Sequence, residues 1–227
     1  MYSEELLKEV EKLVKPTYAQ IKIWGHGWLH VLGVVRAAKA LAEMEAVDPV
    51  LCQIAAYCHD LGRLEEEEKD LVNFKPGAPS AHAAMSVLPT TKILDQIGVV
   101  GQDAENIAEA VKIHNIRKYE GTNKIALILQ DADRADGFGK FAILRFAVFN
   151  CEIEIPEPRD NDHADELLEK VRQVLKNDKI KRERMFEILE YAFGWVDILA
   201  NTKSVKKYVK DGYQFNRDFY NELKSYN

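Results

Sequence analysis

The stretch Leu51-Cys52-Gln53-Ile54-Ala55-Ala56-Tyr57-Cys58-His59-Asp60-Leu61-Gly62-Arg63 joins an apolar run to two adjacent side chains of metal-binding type. Asp48-Pro49 just before it supplies an N-cap and a first-turn proline, and Gly62 a stop, so a helix is expected over residues 50–61. Neighbours on a helix diverge by about 100°, yet His59 and Asp60 at its end can both reach one ion lying beyond that end. An imidazole there is also favoured by the helix C-terminus alone. A carboxylate is disfavoured by the same dipole, and a nearby cation would offset that cost.

Helical periodicity recurs on both sides of this stretch and alternating strand patterns are almost absent, which gives an all-α fold. Ser3 caps a first helix with Leu6, Val10, Leu13 and Val14 along one stripe. The next, over residues 26–45, carries His30, Val34, Ala37 and Leu41 on one face, so the His30 ring should point inward. A buried imidazole needs a hydrogen bond, a carboxylate or a metal, and taken alone His30 is most simply a hydrogen-bonded core residue. Residues 65–68 read as an exposed acidic turn that opens a mobile Pro/Gly-rich loop running to residue 80. Short helices over 81–88 and 91–97 are divided by Pro89, and Asp103 caps a helix ending at His114. Residues 123–135 lead across Gly137 and Gly139 into 141–149; helices follow over 164–176, 180–199 and from about 204. A single domain, 1–227, is expected, with its motif-bearing core at about 20–145 and a C-terminal helical extension at about 160–227.

Of the 227 residues 47% are apolar and 30% charged, with a net charge of −6. That balance argues against a broad nucleic-acid surface and leaves room for a local basic pocket. Cys52, Cys58 and Cys151 form no Cys-x-x-Cys pair and read as buried reduced thiols. The acidic start lacks a signal core and no apolar run reaches spanning length, so a cytoplasmic protein without a membrane partner is expected. A homo-oligomer is compatible with the composition.

The run Gln130-Asp131-Ala132-Asp133-Arg134-Ala135-Asp136 follows apolar residues 125–129. Three acids beside an apolar helix need neutralisation by a metal, an arginine or water. Asp131 and Asp133 stand about 200° apart and cannot serve one ion from one face, whereas Asp133 and Asp136 share a side. Periodicity leaves open which acid is the ligand.

His30, then His59-Asp60, then a distant Asp in an Ala-Asp-Arg context resembles the HD-domain superfamily of metal-dependent phosphohydrolases, over roughly residues 20–145. The resemblance implies a helical HD-domain bundle with additional C-terminal helices. It also implies His30, His59, Asp60 and Asp133 as metal ligands, the last because the family's closing Asp follows an Ala. Hydrolysis of a phosphate ester or anhydride of a small metabolite follows, with metal-activated water as nucleophile and a nucleotide as the expected substrate. Two imidazoles and two carboxylates suit an ion with open water positions; Mn, Fe, Co, Ni, Mg and Zn are not distinguished, nor one ion from two. Some relatives bind a second metal through two intervening histidines, here His82 and His114, with Asp60 bridging. Either could instead be a general acid, a phosphate contact or a hydrogen-bonded helix histidine. Arg63, Lys112 and Arg134 are candidate phosphate contacts that surface ion pairs would equally explain. Asp136 is expected to orient a ligand, and His26 to start its helix or support the site. Two other functions fit the same residues: an oxygen-activating di-iron centre, which needs His82 and His114 as ligands, and a non-catalytic metabolite-binding module.

Overall fold

A computed structural model describes residues 2–22, 24–72 and 80–226, which form helices and no strand. The order is α1 (Glu4–Tyr18), a 3₁₀ turn (Trp24–His26), α2 (Trp28–Met44), α3 (Pro49–Cys58), α4 (Arg63–Glu68), α5 (His82–Gln96), α6 (Gly101–Ile113) and α7 (Lys124–Ala135). Then come α8 (Lys140–Phe149), α9 (Asn161–Asn177), α10 (Lys179–Asp197), α11 (Ser204–Tyr208) and α12 (Lys210–Lys224). No described helix is long and apolar enough to cross a membrane.

Two side-chain caps start helices that matter here, Asp48 as expected and Asn123 unforeseen, while Ser3 precedes α1 without a capping side-chain bond. Asp48 Oδ1 accepts from the amides of Val50 (2.8 Å) and Leu51 (3.3 Å), starting α3. Asn123 Oδ1 does the same for Ile125 and Ala126, starting α7. Asp48→Ala should therefore lower stability by about 1 kcal/mol, read as a fall in Tm of roughly 2–4 °C for a chain of this size. An unchanged calorimetric Tm would show that the cap contributes nothing.

Other boundaries depart from expectation. Pro89 does not divide a helix: α5 runs through it. The Ser86, Thr90 and Thr91 hydroxyls donate to the carbonyls of His82, Ser86 and Val87, each one turn back in the same helix. Residues 65–68 lie in helix α4, and Glu66 has no solvent exposure, contrary to an exposed turn; its partners are described below. The rest of the expected loop, residues 73–79, lies outside the described residues. Asp103 is not a cap. It sits inside the first turn of α6, whose N-cap is Val100, and accepts from the Tyr2 hydroxyl at 2.9 Å. The last expected helix is two, α11 and α12, meeting at Val209.

Two apolar cores result. Val10, Leu41, Ile54, Ile107 and Leu129, from α1, α2, α3, α6 and α7, belong to the first. Leu144, Leu167, Met185, Leu189 and Phe219, from α8, α9, α10 and α12, belong to the second. The three cysteines are buried and unpaired, and burial pushes each thiol up to about 12. They are packing residues and poor nucleophiles.

Candidate metal centre

The first core brings the ends of three helices to one place. His30 projects from α2, His59 and Asp60 follow α3, and Asp133 projects from α7. His30 Nε2 lies 3.2 Å from His59 Nε2, 3.4 Å from Asp133 Oδ1 and 3.7 Å from Asp60 Oδ2. His59 Nε2 is 3.7 Å from Asp60 Oδ2 and 3.8 Å from Asp133 Oδ1. On the other side of Asp60, Oδ1 lies 3.1 Å from Nε2 of His82, which opens α5, and 3.5 Å from Nε2 of His114, which closes α6. Those two nitrogens are 3.0 Å apart. Six side chains thus form two adjoining clusters that share one carboxylate.

The outer ring nitrogens decide what the inner ones can do. His59 Nδ1 donates to the Ala56 carbonyl and His114 Nδ1 to the Val111 carbonyl, both at 2.7 Å. His30 Nδ1 donates to Asp136 Oδ2 at 2.8 Å. A carbonyl or carboxylate only accepts, so Nδ1 carries the proton in each ring and a neutral ring presents a lone pair at Nε2. Lone pairs and carboxylate oxygens then face one another with no proton between. Asp60 Oδ1 is a buried oxygen that makes no hydrogen bond among the described residues, although the Nε2 atoms of His82 and His114 lie 3.1 and 3.5 Å away. Such an arrangement is costly unless a positive charge sits within it.

The electrostatics point the same way. Burial holds the His59 imidazole down to about 4, so this ring is neutral at physiological pH. Burial also opposes ionisation of Asp60 and Asp133, yet Arg63 and the surrounding imidazoles hold Asp60 well below the ordinary range, and His30 and its neighbours do the same for Asp133. Two ionised carboxylates beside the neutral His59 imidazole are donors that suit a divalent cation. His30 stands apart: burial and Arg145 oppose its charge, but the carboxylates of Asp133 and Asp136 on either side of the ring raise it.

Around this centre, Asp136 holds His30 and is itself held by Arg145 Nη2 at 2.6 Å. Arg145 also donates to the carbonyls of Gly25 and Asp136. Gly33 leaves room for that carboxylate, since a Cβ there would come within 1.8 Å of Asp136 Oδ1. His26 Nδ1 reaches Asp60 Oδ2 at 3.3 Å while its ring packs edge-on against Phe149. Arg63 bonds Asp60 at 3.4 Å and Glu66 at 2.8 Å. Burial raises the Glu66 carboxyl, but His82, Arg63 and Ser80 outweigh it and hold the group at about 2.

The clusters open into a cavity of about 220 Å³. His30, His82, His114 and Asp133 form one wall; Phe146, Phe149, Tyr191 and Trp195, from α8 and α10, form the other. Arg63 and Arg145 line it as well. Lys112 is exposed on α6 and is not part of this lining. Arg134 touches the cavity, but its donors are taken by the carbonyls of Leu199, Arg117 and Ile116, which fasten neighbouring chain to α7. Asp131 does related work, accepting from the amides of Asn201 and Thr202. Sequence reading takes Trp195 for a core or pocket wall, which the cavity bears out, but misses Glu66, Arg145, Gly33 and the other three aromatic residues. Gly33 had a signal, a glycine inside an apolar helix, as did Arg145, the one charge within residues 141–149.

Comparison with known proteins places this geometry. Residues 27–137 match the HD domain. YpgQ of Bacillus subtilis (strain 168) is 27% identical over 133 residues, 55% of this chain and 57% of YpgQ, so the match spans little more than half of that relative. A predicted HD superfamily hydrolase from an uncultured Thermotogales bacterium is 25% identical, with a TM-score of 0.52 over 75% of this chain and 92% of that one. The structure of B. subtilis YpgQ in complex with ADP superposes with a TM-score of 0.57 at 19% identity, covering 97% and 95% of the two chains. A Lactobacillus plantarum protein gives 0.60 at 19% identity over 99% and 98%. The last two likenesses concern the fold alone. With residues 27–137 as its HD domain, the chain belongs to the HD-domain superfamily.

Proposed function

We propose that this protein is a divalent-metal-dependent phosphohydrolase acting on a small phosphorylated metabolite, with a nucleotide as its substrate class. The observation that carries the reading is the orphaned Asp60 Oδ1 amid converging Nε2 lone pairs, beside a cavity that Arg63 lines. His30, His59, Asp60 and Asp133 would hold one ion; His82 and His114, sharing Asp60, would hold a second. A divalent ion so held supplies two services, polarising a phosphoryl oxygen and acidifying a bound water to give a nucleophile near neutral pH.

The chain's own groups would do the rest. Arg63, braced between Asp60 and Glu66, presents its positive charge to a phosphate in the cavity. Phe149, Tyr191 and Trp195 exclude water and pack against the apolar part of the substrate. Asp136 keeps the His30 ring aimed inward, and Arg145 keeps Asp136 in place. That clamp ties the second core to the first, which favours treating residues 1–227 as one functional domain. The nucleotide assignment draws on YpgQ, a protein of similar fold solved with ADP. Buried reduced thiols suit a cytoplasmic setting.

The test is a panel of nucleoside mono-, di- and triphosphates with Mn²⁺, Mg²⁺, Co²⁺ or Ni²⁺, read as phosphate or pyrophosphate release. Release should depend on the metal, stop with chelator and fall at least ~10²-fold in His59→Ala, which removes a metal ligand. Absence of release above the His59→Ala background across the panel would overturn the proposal. Running the panel without oxygen separates it from a di-iron, oxygen-consuming reaction, which would stop.

A further inference from the structure

Glu66 is fully buried yet contributes no atom to the metal clusters. Its two oxygens are differently engaged. Oε2 accepts from Arg63 Nη1 at 2.8 Å and lies 3.8 Å from His82 Nδ1. Oε1 accepts from the Ala81 amide at 3.2 Å and from the Ser80 hydroxyl, and the same hydroxyl oxygen contacts His82 Nδ1 closely.

The direction of this chain follows from elementary donor counting. An ionised carboxylate has no proton to give, so the single proton of Ser80 must point at Glu66. Ser80 Oγ can then only accept from its other neighbour, and His82 Nδ1 must carry the hydrogen. His82 Nε2 is left with a lone pair, 3.1 Å from the orphaned Asp60 Oδ1 and 3.0 Å from His114 Nε2. Three other imidazoles have Nδ1 fixed by a direct acceptor. For His82 the acceptor is a hydroxyl, which could point either way without a carboxylate behind it.

We propose that Glu66 is a positioning residue which, through Ser80, fixes His82 as an Nε2 donor to the second cation, while its other oxygen aims Arg63 at the cavity. This rests on the two-ion form of the proposed function. It assigns different ions to different supports: the His82–His114 site depends on Glu66 and Ser80, and the His30–His59–Asp133 site does not.

The test uses the full chain, Mn²⁺ as the probe, and three variants: Ser80→Ala, Ser80→Thr and Glu66→Gln. Ser80→Ala keeps the Glu66–Arg63 pair and the bond from the Ala81 amide, and breaks only the relay. Stoichiometry by elemental analysis and spin coupling by electron paramagnetic resonance report on the two ions separately. Wild type should bind two coupled ions. In Ser80→Ala and Glu66→Gln one affinity should fall roughly 10–100-fold, as for lost outer partners of metal ligands, with the coupled signal replaced by that of an isolated ion. Ser80→Thr should restore the pair. Glu66→Gln should also raise KM, since a neutral amide holds Arg63 less firmly than a carboxylate, whereas Ser80→Ala should leave KM nearly unchanged. Two ions bound in both variants with wild-type affinity would overturn the assignment to Glu66 alone. So would an equal loss of both ions with a lowered metal-free Tm, the mark of a structural role. One ion in wild type would sink the two-ion reading itself.

Discussion

Asp60→Asn is expected to lower metal-dependent turnover by roughly 10³-fold or more, and to abolish the stabilisation that metal confers. Asp60 faces both clusters: Oδ2 lies among His26, His30 and His59, and Oδ1 between His82 and His114. An amide keeps the shape but puts an NH₂ where a cation would sit and removes a negative charge. Metal polarisation contributes several kcal/mol to such reactions, and each 1.36 kcal/mol is about tenfold in rate, so about 4 kcal/mol corresponds to the stated loss. Binding supplies an independent readout. A ligand at 100 times its Kd stabilises the folded chain by about 2.7 kcal/mol, or roughly 5–10 °C in Tm at this length. Calorimetry with and without Mn²⁺ should show that rise in wild type and none in Asp60→Asn. A variant that still gains Tm on metal addition would mean that the shared carboxylate does not hold the ion.

Gly33→Ala should be destabilising, against the usual trend. Within an exposed helix, replacing glycine by alanine gains about 0.5–1 kcal/mol. At residue 33 the added methyl would stand 1.8 Å from Asp136 Oδ1 and 2.6 Å from its Cγ. Asp136 cannot swing aside freely, because it holds His30 Nδ1 at 2.8 Å and Arg145 at 2.6 Å. Crowding of this kind costs about 1–3 kcal/mol, and the displaced carboxylate should release His30, weakening metal affinity roughly 10–100-fold. Denaturant titration and metal titration together check it. Stability raised with metal affinity unchanged would show that Asp136 has room to move and that His30 does not depend on it.

How far the sequence foretold this arrangement depended on whether the controlling interaction was local. Asp48 caps α3 within three residues of itself, so its pattern could be read directly. His30, His59-Asp60 and Asp133 stood out through their order and helical context, and the fold brings all four together. Glu66 was hidden because it lies in a run of four acids whose composition signals exposure, while its burial depends on Arg63, Ser80 and Ala81. Pro89 misled because a helix held by tertiary packing can run through a proline, and no local pattern announces that packing. Arg145 meets Gly25, 120 residues away, a pairing that no periodicity encodes.

The cavity is built by two parties. Its ligand-bearing wall comes from residues within 27–137, and its aromatic wall from α8 and α10 beyond them. Sequence drift in Tyr191 or Trp195 can therefore change which molecules are admitted without disturbing the candidate metal centre. Chains that keep the same ligand set are thereby free to diverge in the molecules they accommodate.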